Sequence, residues 1–199
     1  MKISVILAHP NEESFNHAIS MAVIETLENN SHDVIFHDLY KEKFNPILLT
    51  EEFPKNAELP SAIQQHCNEL ANADGIIIVH PNWSGQPPAI LKGWIDRVIK
   101  PGVGYEFEGE DGEVGFPKGL LKAKAAIVFN TSNTPTIVEQ DILGDTLEAI
   151  WKNYVFGLCG VRDFHRKMYN IVLTSTKEQR IAWLNDVKNT INQAFPKNI

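Results

Sequence analysis

The sequence predicts an α/β doubly wound three-layer sandwich with a five-stranded parallel sheet in the order 2-1-3-4-5. Three observations predict it. Short apolar runs rich in branched residues, at 3–8, 75–80 and 124–130, alternate with stretches whose apolar residues recur at helical spacing. These runs lack polar alternation, so they read as strands buried on both faces, as in a parallel sheet covered by helices. The chain has 199 residues, no internal repeat and no low-complexity segment. That is the size of a single domain, 1–199, with one sizeable core.

The elements follow in order. Residues 3–8 are the first strand. A lone Lys2 before an apolar run has the look of a leader, but His9-Pro10-Asn11-Glu12-Glu13 follows without a cleavage site. Ser14 is placed to cap a helix through about residue 27, with Phe15, Ala18, Ile19, Ala22, Val23 and Leu27 facing inward. The second strand, 34–36, runs into His37-Asp38-Leu39-Tyr40. Residues 41–58 are polar and broken by proline. They read as an excursion, and its Phe44, Ile47, Leu48, Leu49 and Phe53 call for burial. A helix covers 61–72 and the third strand 75–80.

That strand runs straight into Pro81-Asn82-Trp83-Ser84-Gly85-Gln86, and Pro87-Pro88 opens the next helix, since proline fits a first helical turn. Ile90, Leu91, Trp94, Ile95, Val98 and Ile99 form its apolar stripe, with Lys92, Asp96, Arg97 and Lys100 largely opposite. Residues 101–119 hold six glycines and two prolines and predict a loop or loose hairpin. The fourth strand, 124–130, leads into a polar turn at 131–135. A helix over 137–154, a fifth strand within 161–172 broken around His165-Arg166-Lys167, and a helix over 177–194 complete the chain.

Composition excludes several classes. A net charge of −7 lacks the basic footprint of a nucleic-acid binder. No apolar run approaches the ~20 residues of a membrane span, so an integral membrane protein is not expected. Cys67 and Cys159 form no C-x-x-C and read as reduced, buried thiols of a cytoplasmic protein.

In this strand order the loops after strands one, three and four meet at the carboxyl edge of the sheet, where ligands bind. Neither G-x-G-x-x-G nor G-x-x-x-x-G-K-[ST] occurs in them. Ser14-Phe15-Asn16 instead offers a hydroxyl and free N–H groups at a helix start. With His9, these could hold a phosphate; the competing reading is simple capping. Trp83, beside Asn82, Ser84 and Gly85, could lie against a planar heterocycle, or pack on its own domain. Thr131-Ser132-Asn133-Thr134 supplies hydroxyls and amides, or is a solvated turn. Together the three loops suit a flavin: an uncharged ring, a polar edge and a phosphate tail, with the chemistry carried by the cofactor. A hydrolase or metal enzyme using His9, Asp38 and His80 is the rival, without a G-x-S-x-G or histidines at ligand spacing to support it, and no metal site is expected.

These residues resemble the NAD(P)H:quinone oxidoreductase (DT-diaphorase) family, which has a flavodoxin-like fold. The likeness is carried by His9 with Ser14-Phe15-Asn16, by Pro81 to Val98 with its Pro-Ala-Ile-Leu-Lys-Gly-Trp run, by Tyr105-Glu106-Phe107 and by Gly144-Asp145. It spans nearly the whole chain. It implies a flavin, FAD in preference to FMN, with NAD(P)H as hydride donor and a quinone-like acceptor taking two electrons in the same pocket by a ping-pong course. Phe15, Asn16 and Ala18 are then expected along the phosphate and ribityl chain with His9 nearby. Pro81, Asn82, Trp83, Ser84 and Gly85 are expected against the ring, and Thr131 to Thr134 at its other edge. Tyr105, Glu106 and Phe107 are expected on the substrate side, across a homodimer interface near helix 88–99.

The sequence also departs from that family. Its mammalian members carry a tyrosine and a histidine after the fourth-strand turn, proposed to relay a proton; Ile137 and Leu143 stand there, and Ser132-Asn133-Thr134 replaces a glycine-rich turn. The proton then comes from water or another side chain, with His80 and His165 the histidines available. A second reading of the same fold is a regulatory flavoprotein subunit of a potassium-efflux antiporter, marked by slow turnover and binding to a membrane transporter.

Overall fold

The computed structural model describes residues 1–54, 56–107 and 115–197. In chain order they form β1 (Lys2–Leu7), α1 (Phe15–Asn29), β2 (Asp33–Asp38), α2 (Ser61–Ala71), β3 (Gly75–Pro81), α3 (Ala89–Val98), β4 (Tyr105–Glu106), β5 (Lys118–Gly119), β6 (Ala125–Ser132), α4 (Thr146–Ala149), β7 (Asp163–Asn170) and α5 (Lys177–Ala194). The main sheet has the order β2-β1-β3-β6-β7, with every pair parallel. Leaving out the small hairpin β4-β5, this is the predicted 2-1-3-4-5. β3 and β6, at the centre, are buried at every residue. One face of the sheet packs on α1 and α5 through residues such as Phe15, Ile19, Val187 and Ile191. The other packs on α2, α3 and the helix after residue 145, through Leu70, Trp94, Leu147 and Trp151. Both thiols are free and buried; burial pushes Cys67 up to about 11 and Cys159 to about 12, which keeps them protonated.

Several expectations are corrected. The fourth main strand runs two residues further than predicted, so Thr131 and Ser132 are buried strand residues and not part of a turn. The helix predicted over 137–154 is two pieces. A single π turn (Val138–Ile142) ends at Gly144, which has φ +74°, and α4 then starts at Thr146 and continues as π-helix to Gly157. β7 is unbroken, because Arg166 turns into the protein. Its guanidinium bonds Asp145, Glu148 Oε2 at 2.8 Å and Asn130 Oδ1 at 3.2 Å. The hairpin predicted within 101–119 pairs as β4-β5, and residues 108–114 lie outside the described residues.

The excursion after β2 lies across α3, but of its apolar side chains only Phe44 is well buried. Ile47 and Phe53 are 64% and 69% exposed. Arg97, expected on the outer side of α3, is instead buried and holds this segment down. Its Nε and Nη2 donate to Glu52 at 3.0 and 2.5 Å, and its Nη1 to the Asn45 carbonyl at 2.5 Å. Gly93 makes the crossing possible: a Cβ there would overlap Pro46 O and Cβ. Gly→Ala in a helix ordinarily gains about 1 kcal/mol. Gly93→Ala is expected to lose about 1–3 kcal/mol instead, because the crossing backbone cannot withdraw without breaking the Arg97 contacts. Chemical denaturation measures it, and a variant more stable than wild type would show that the segment does not lie on α3.

Candidate functional site

The carboxyl ends of β1, β3 and β6 meet as predicted. Asn82 N donates to Thr131 O at 2.6 Å and ties the last two together. Over them lies a cleft of about 380 Å³ whose walls include His9, Ser14, Phe15, Asn16, Pro81, Asn82, Trp83, Thr131, Ser132 and Asn133. Ten of the predicted cofactor residues thus converge on one hollow. The other four stand just outside it. Ala18 lines the next groove. Ser84 and Gly85, with φ +55° and +74°, form the tight turn that presents Trp83. Thr134 is tied back by its N–H to Ser132 Oγ at 3.0 Å.

Each wall is built locally. Ser14 caps α1, its Oγ accepting from His17 N at 3.2 Å, which leaves the N–H groups of Phe15 and Asn16 at a helix start. Trp83 is 44% exposed, so it is not packed on its domain; its ring stands 6.3 Å from that of His9. Asn82 is fixed at both ends: Oδ1 accepts from Gly85 N at 2.9 Å and Nδ2 donates to Glu139 Oε1 at 2.8 Å. Ser132 Oγ donates to the same Glu139 oxygen at 3.0 Å. Burial lowers the His9 pKa, the Asn11 carbonyl opposes that, and the neighbouring His17 lowers it further.

Asn16 supplies the test of fit for a flavin. It is 2% exposed, and its Nδ2 donates to Thr131 Oγ1 at 2.8 Å. Its Oδ1 has no hydrogen-bond partner. A buried amide oxygen without a donor is costly and uncommon. On the wall of a cleft lined mostly by neutral hydroxyls and amides, with Glu13 and Arg180 its charged groups, and beside a helix start and an exposed indole, it suits a ligand carrying hydroxyls, a flat ring and a phosphate, and a flavin nucleotide has all three.

The sequence reading missed six contributors, of which Asn11 and Glu13 belong to the first loop. Val172, Leu173 and Arg180 close the far side of the cleft. Arg180 Nη2 donates to Val172 O at 3.0 Å and its guanidinium stands 5.9 Å over the Phe15 ring. The available signal was a cation in the first turns of a helix, where the helix dipole disfavours it. The sixth is Glu139, which touches the cleft through Asn82 and Ser132.

Other nominated residues are elsewhere. Tyr105 lines a separate groove of about 340 Å³ with Phe53, Ile95 and Tyr154, and Phe107 packs on its ring; neither reaches the cleft within one chain. Ile137 and Leu143 are exposed. His165 is an exposed strand residue paired with Asp163. His80 is wholly buried. Its Nε2 accepts from Trp151 Nε1 at 2.9 Å and Asn130 Nδ2 at 2.8 Å, so Nδ1 carries the proton and donates to Pro81 O at 2.8 Å. Burial holds its pKa down at about 4. It is a core histidine with both nitrogens engaged.

The hydrolase or metal rival fares no better. Asp38 pairs with His17, so His9, Asp38 and His80 do not form one site. A cluster of His37, Glu42 and His66 does lie elsewhere. His66 Nδ1 accepts from Trp94 Nε1 at 3.2 Å, which puts the proton on Nε2, where a metal would have to bind. His37 faces Glu42 at 2.9 Å and Glu69 at 2.7 Å; burial works to lower its pKa, and those two hydrogen bonds outweigh it and raise it. The cluster is an ion-paired group rather than a ligand set.

Comparison with known proteins agrees with this geometry. A family model described as flavodoxin-like fold matches residues 1–189. An uncharacterized NAD(P)H oxidoreductase of Haemophilus influenzae is 36% identical over 170 residues, 83% of this chain and 81% of that protein. The solved NAD(P)H:quinone oxidoreductase of Methanothermobacter marburgensis superposes with a TM-score of 0.82 over 97% of this chain and 96% of its own, at 22% identity. An FMN-dependent NADH-azoreductase of Bacillus anthracis, solved with FMN, superposes with a TM-score of 0.75 over 97% of this chain and 99% of its own, at 17% identity.

Proposed function

The chain belongs to the NAD(P)H:quinone oxidoreductase family of flavodoxin-like proteins, and from that premise we propose that it is a flavin enzyme passing two electrons from NAD(P)H to quinone-like acceptors by a ping-pong course. The observation that carries the reading is the cleft: an orphaned Asn16 oxygen, a helix start and an exposed Trp83 on one hollow at the switch point of the sheet. A bound flavin supplies hydride acceptance and two-electron donation, chemistry that no side chain here offers.

The protein's share is to bind and orient. Asn16 and the α1 start hold the polar tail, with Ser14 and His9 beside them. Trp83 covers the ring, and its turn is kept rigid by Asn82 on Glu139 and by Thr146 Oγ1 donating to Gly85 O at 2.6 Å. Ser132 and Asn133 meet the ring's polar edge. With Ile137 and Leu143 exposed and His80 buried, none of these three takes the proton-relay place, and the role is assigned to water. FAD follows from the resemblance, while one structural neighbour holds FMN; chromatography of the flavin released by heat separates the two.

Tyr105, Glu106 and Phe107 serve the acceptor side from a second subunit. The exposed Ile47, Phe53, Phe107 and Tyr154 around the 340 Å³ groove, with Ile95 of α3 in its wall, give an apolar face of the kind that a homodimer covers. Sedimentation as a dimer tests this. Among the described residues no helix is long and apolar enough to cross a membrane, and two free buried thiols fit the cytoplasm. The antiporter-subunit alternative finds no support, as the relatives named above are oxidoreductases.

Steady-state kinetics with NADH or NADPH against a soluble quinone test the proposal. Parallel double-reciprocal lines are expected. Intersecting lines would remove the ping-pong course and leave the enzyme class standing.

A further inference from the structure

We propose that Ser14, His17 and Asp38 form a proton-linked clamp for the phosphate of the cofactor, in which protonation of His17 frees the Ser14 hydroxyl to donate into the cleft. The inference rests on the flavin reading and adds to it a residue, His17, that does not line the cleft.

Ser14 is the wall between two hollows. On one side is the cofactor cleft; on the other is a groove of about 400 Å³ holding His17 and Asp38. Ser14 Oγ stands 3.2 Å from His17 N and 3.2 Å from His17 Nδ1, and His17 Nε2 stands 3.1 Å from Asp38 Oδ2. Asp38 is 6% exposed, and its other oxygen accepts from Tyr40 N and Lys41 N, both at 3.1 Å. It is therefore a fixed acceptor, and His17 Nε2 carries a proton in either charge state.

The hydroxyl proton of Ser14 then has two places to go. With His17 neutral, Nδ1 is bare and takes the Ser14 proton. The oxygen already accepts from His17 N, so it turns only a lone pair to the cleft and repels a phosphate oxygen. With His17 protonated, Nδ1–H donates to Ser14 Oγ. Both lone pairs are now engaged, and the remaining O–H is free to donate to phosphate. The imidazolium also adds positive charge behind the α1 start. Phosphate binding and protonation of His17 thus favour one another, by the same coupling free energy in both directions. That a ligand belongs at this helix start is independently marked by Asn16 Oδ1, buried and unpartnered two residues along.

The charged groups around His17 set the baseline. They are Asp38 from β2, Glu12 and Glu13 from the first loop, and Lys41 from the turn after β2. On the cleft side stand His9, Arg180 from α5, and Glu13, which lines the cleft as well as the groove and works against a bound phosphate.

The test uses FAD and riboflavin, which share the ring while only FAD carries phosphate. Their dissociation constants are measured on the full chain across the ordinary histidine range, from about pH 5.5 to 8.5. The preference for FAD over riboflavin is expected to rise about three- to tenfold as the pH falls, and riboflavin affinity to stay level. In His17→Gln the preference becomes flat and weak. In Asp38→Asn the amide donates to Nε2 and forces the proton onto Nδ1, so the preference becomes flat and high. A readout on the unaltered protein is the ¹⁵N spectrum of His17, expected to show more of the imidazolium pattern with FAD than with riboflavin at the same pH. A pH-independent FAD preference, or a His17 ring whose spectrum ignores FAD, overturns the clamp while leaving the flavin reading intact. No binding of either flavin overturns both.

Discussion

Glu52→Ala is expected to cost about 3–5 kcal/mol of folding stability, the largest loss of any single substitution proposed for this chain. The reason is burial. Glu52 and Arg97 are each 3% exposed, and the guanidinium gives two of its donors to the carboxylate and a third to the Asn45 carbonyl. Removing the carboxylate leaves a desolvated cation with a single backbone partner. The double variant Glu52→Leu/Arg97→Met removes the charges together and is expected to recover most of the loss, since an apolar pair of similar volume replaces a buried ion pair at little cost. Urea denaturation gives both numbers. A loss under about 1 kcal/mol in Glu52→Ala would mean that the pair is solvated and behaves as a surface bridge.

Asn16→Asp is expected to weaken FAD or FMN binding roughly a hundredfold and to cost the ligand-free fold about 1–3 kcal/mol, because the new carboxylate is buried. The loss is limited because the bond from Asn16 Nδ2 to Thr131 Oγ1 is replaced when the threonine hydroxyl donates to the new carboxylate. A carboxylate in the first turn of α1 is also favoured by the helix dipole. Binding is lost because a negative charge in the first turn of α1 repels the phosphate proposed to bind at that helix start. Fluorescence titration and a thermal melt of the ligand-free protein give the two readouts. Unchanged flavin affinity would remove Asn16, and the α1 start with it, from the cofactor site.

The elements most legible in the sequence were those with a strong period. The buried runs of β1, β3 and β6 have no polar alternation, and that alone implies a parallel sheet with helices on both faces. Once the strand order was assumed, the loops at His9 and Pro81 had to be neighbours, and ten of the fourteen predicted cofactor residues line one cleft for that reason. What was not legible depended on partners distant in sequence. Arg97 reads as a surface cation on a helical wheel, and only Glu52, 45 residues earlier, makes it internal. Arg166 made β7 look broken until Asp145 and Glu148 gave it a place inside. The split of the 137–154 helix turned on Gly144 adopting φ +74°, which a hydrophobic period does not report. Val172, Leu173 and Arg180 reach the cleft only because β7 lies beside β6. The apolar residues of 47–53 were expected inside and lie largely outside, where a second subunit can cover what one chain leaves bare.

The most direct measurement is an anaerobic absorption spectrum of the purified chain, reconstituted with flavin, before and after addition of NADPH or NADH. The account predicts bound flavin whose long-wavelength band bleaches on addition of the nucleotide and returns when a quinone is added. Flavin that binds but keeps its band with both nucleotides would contradict the reductase assignment, and a chain that takes up no flavin at all would contradict the reading of the cleft.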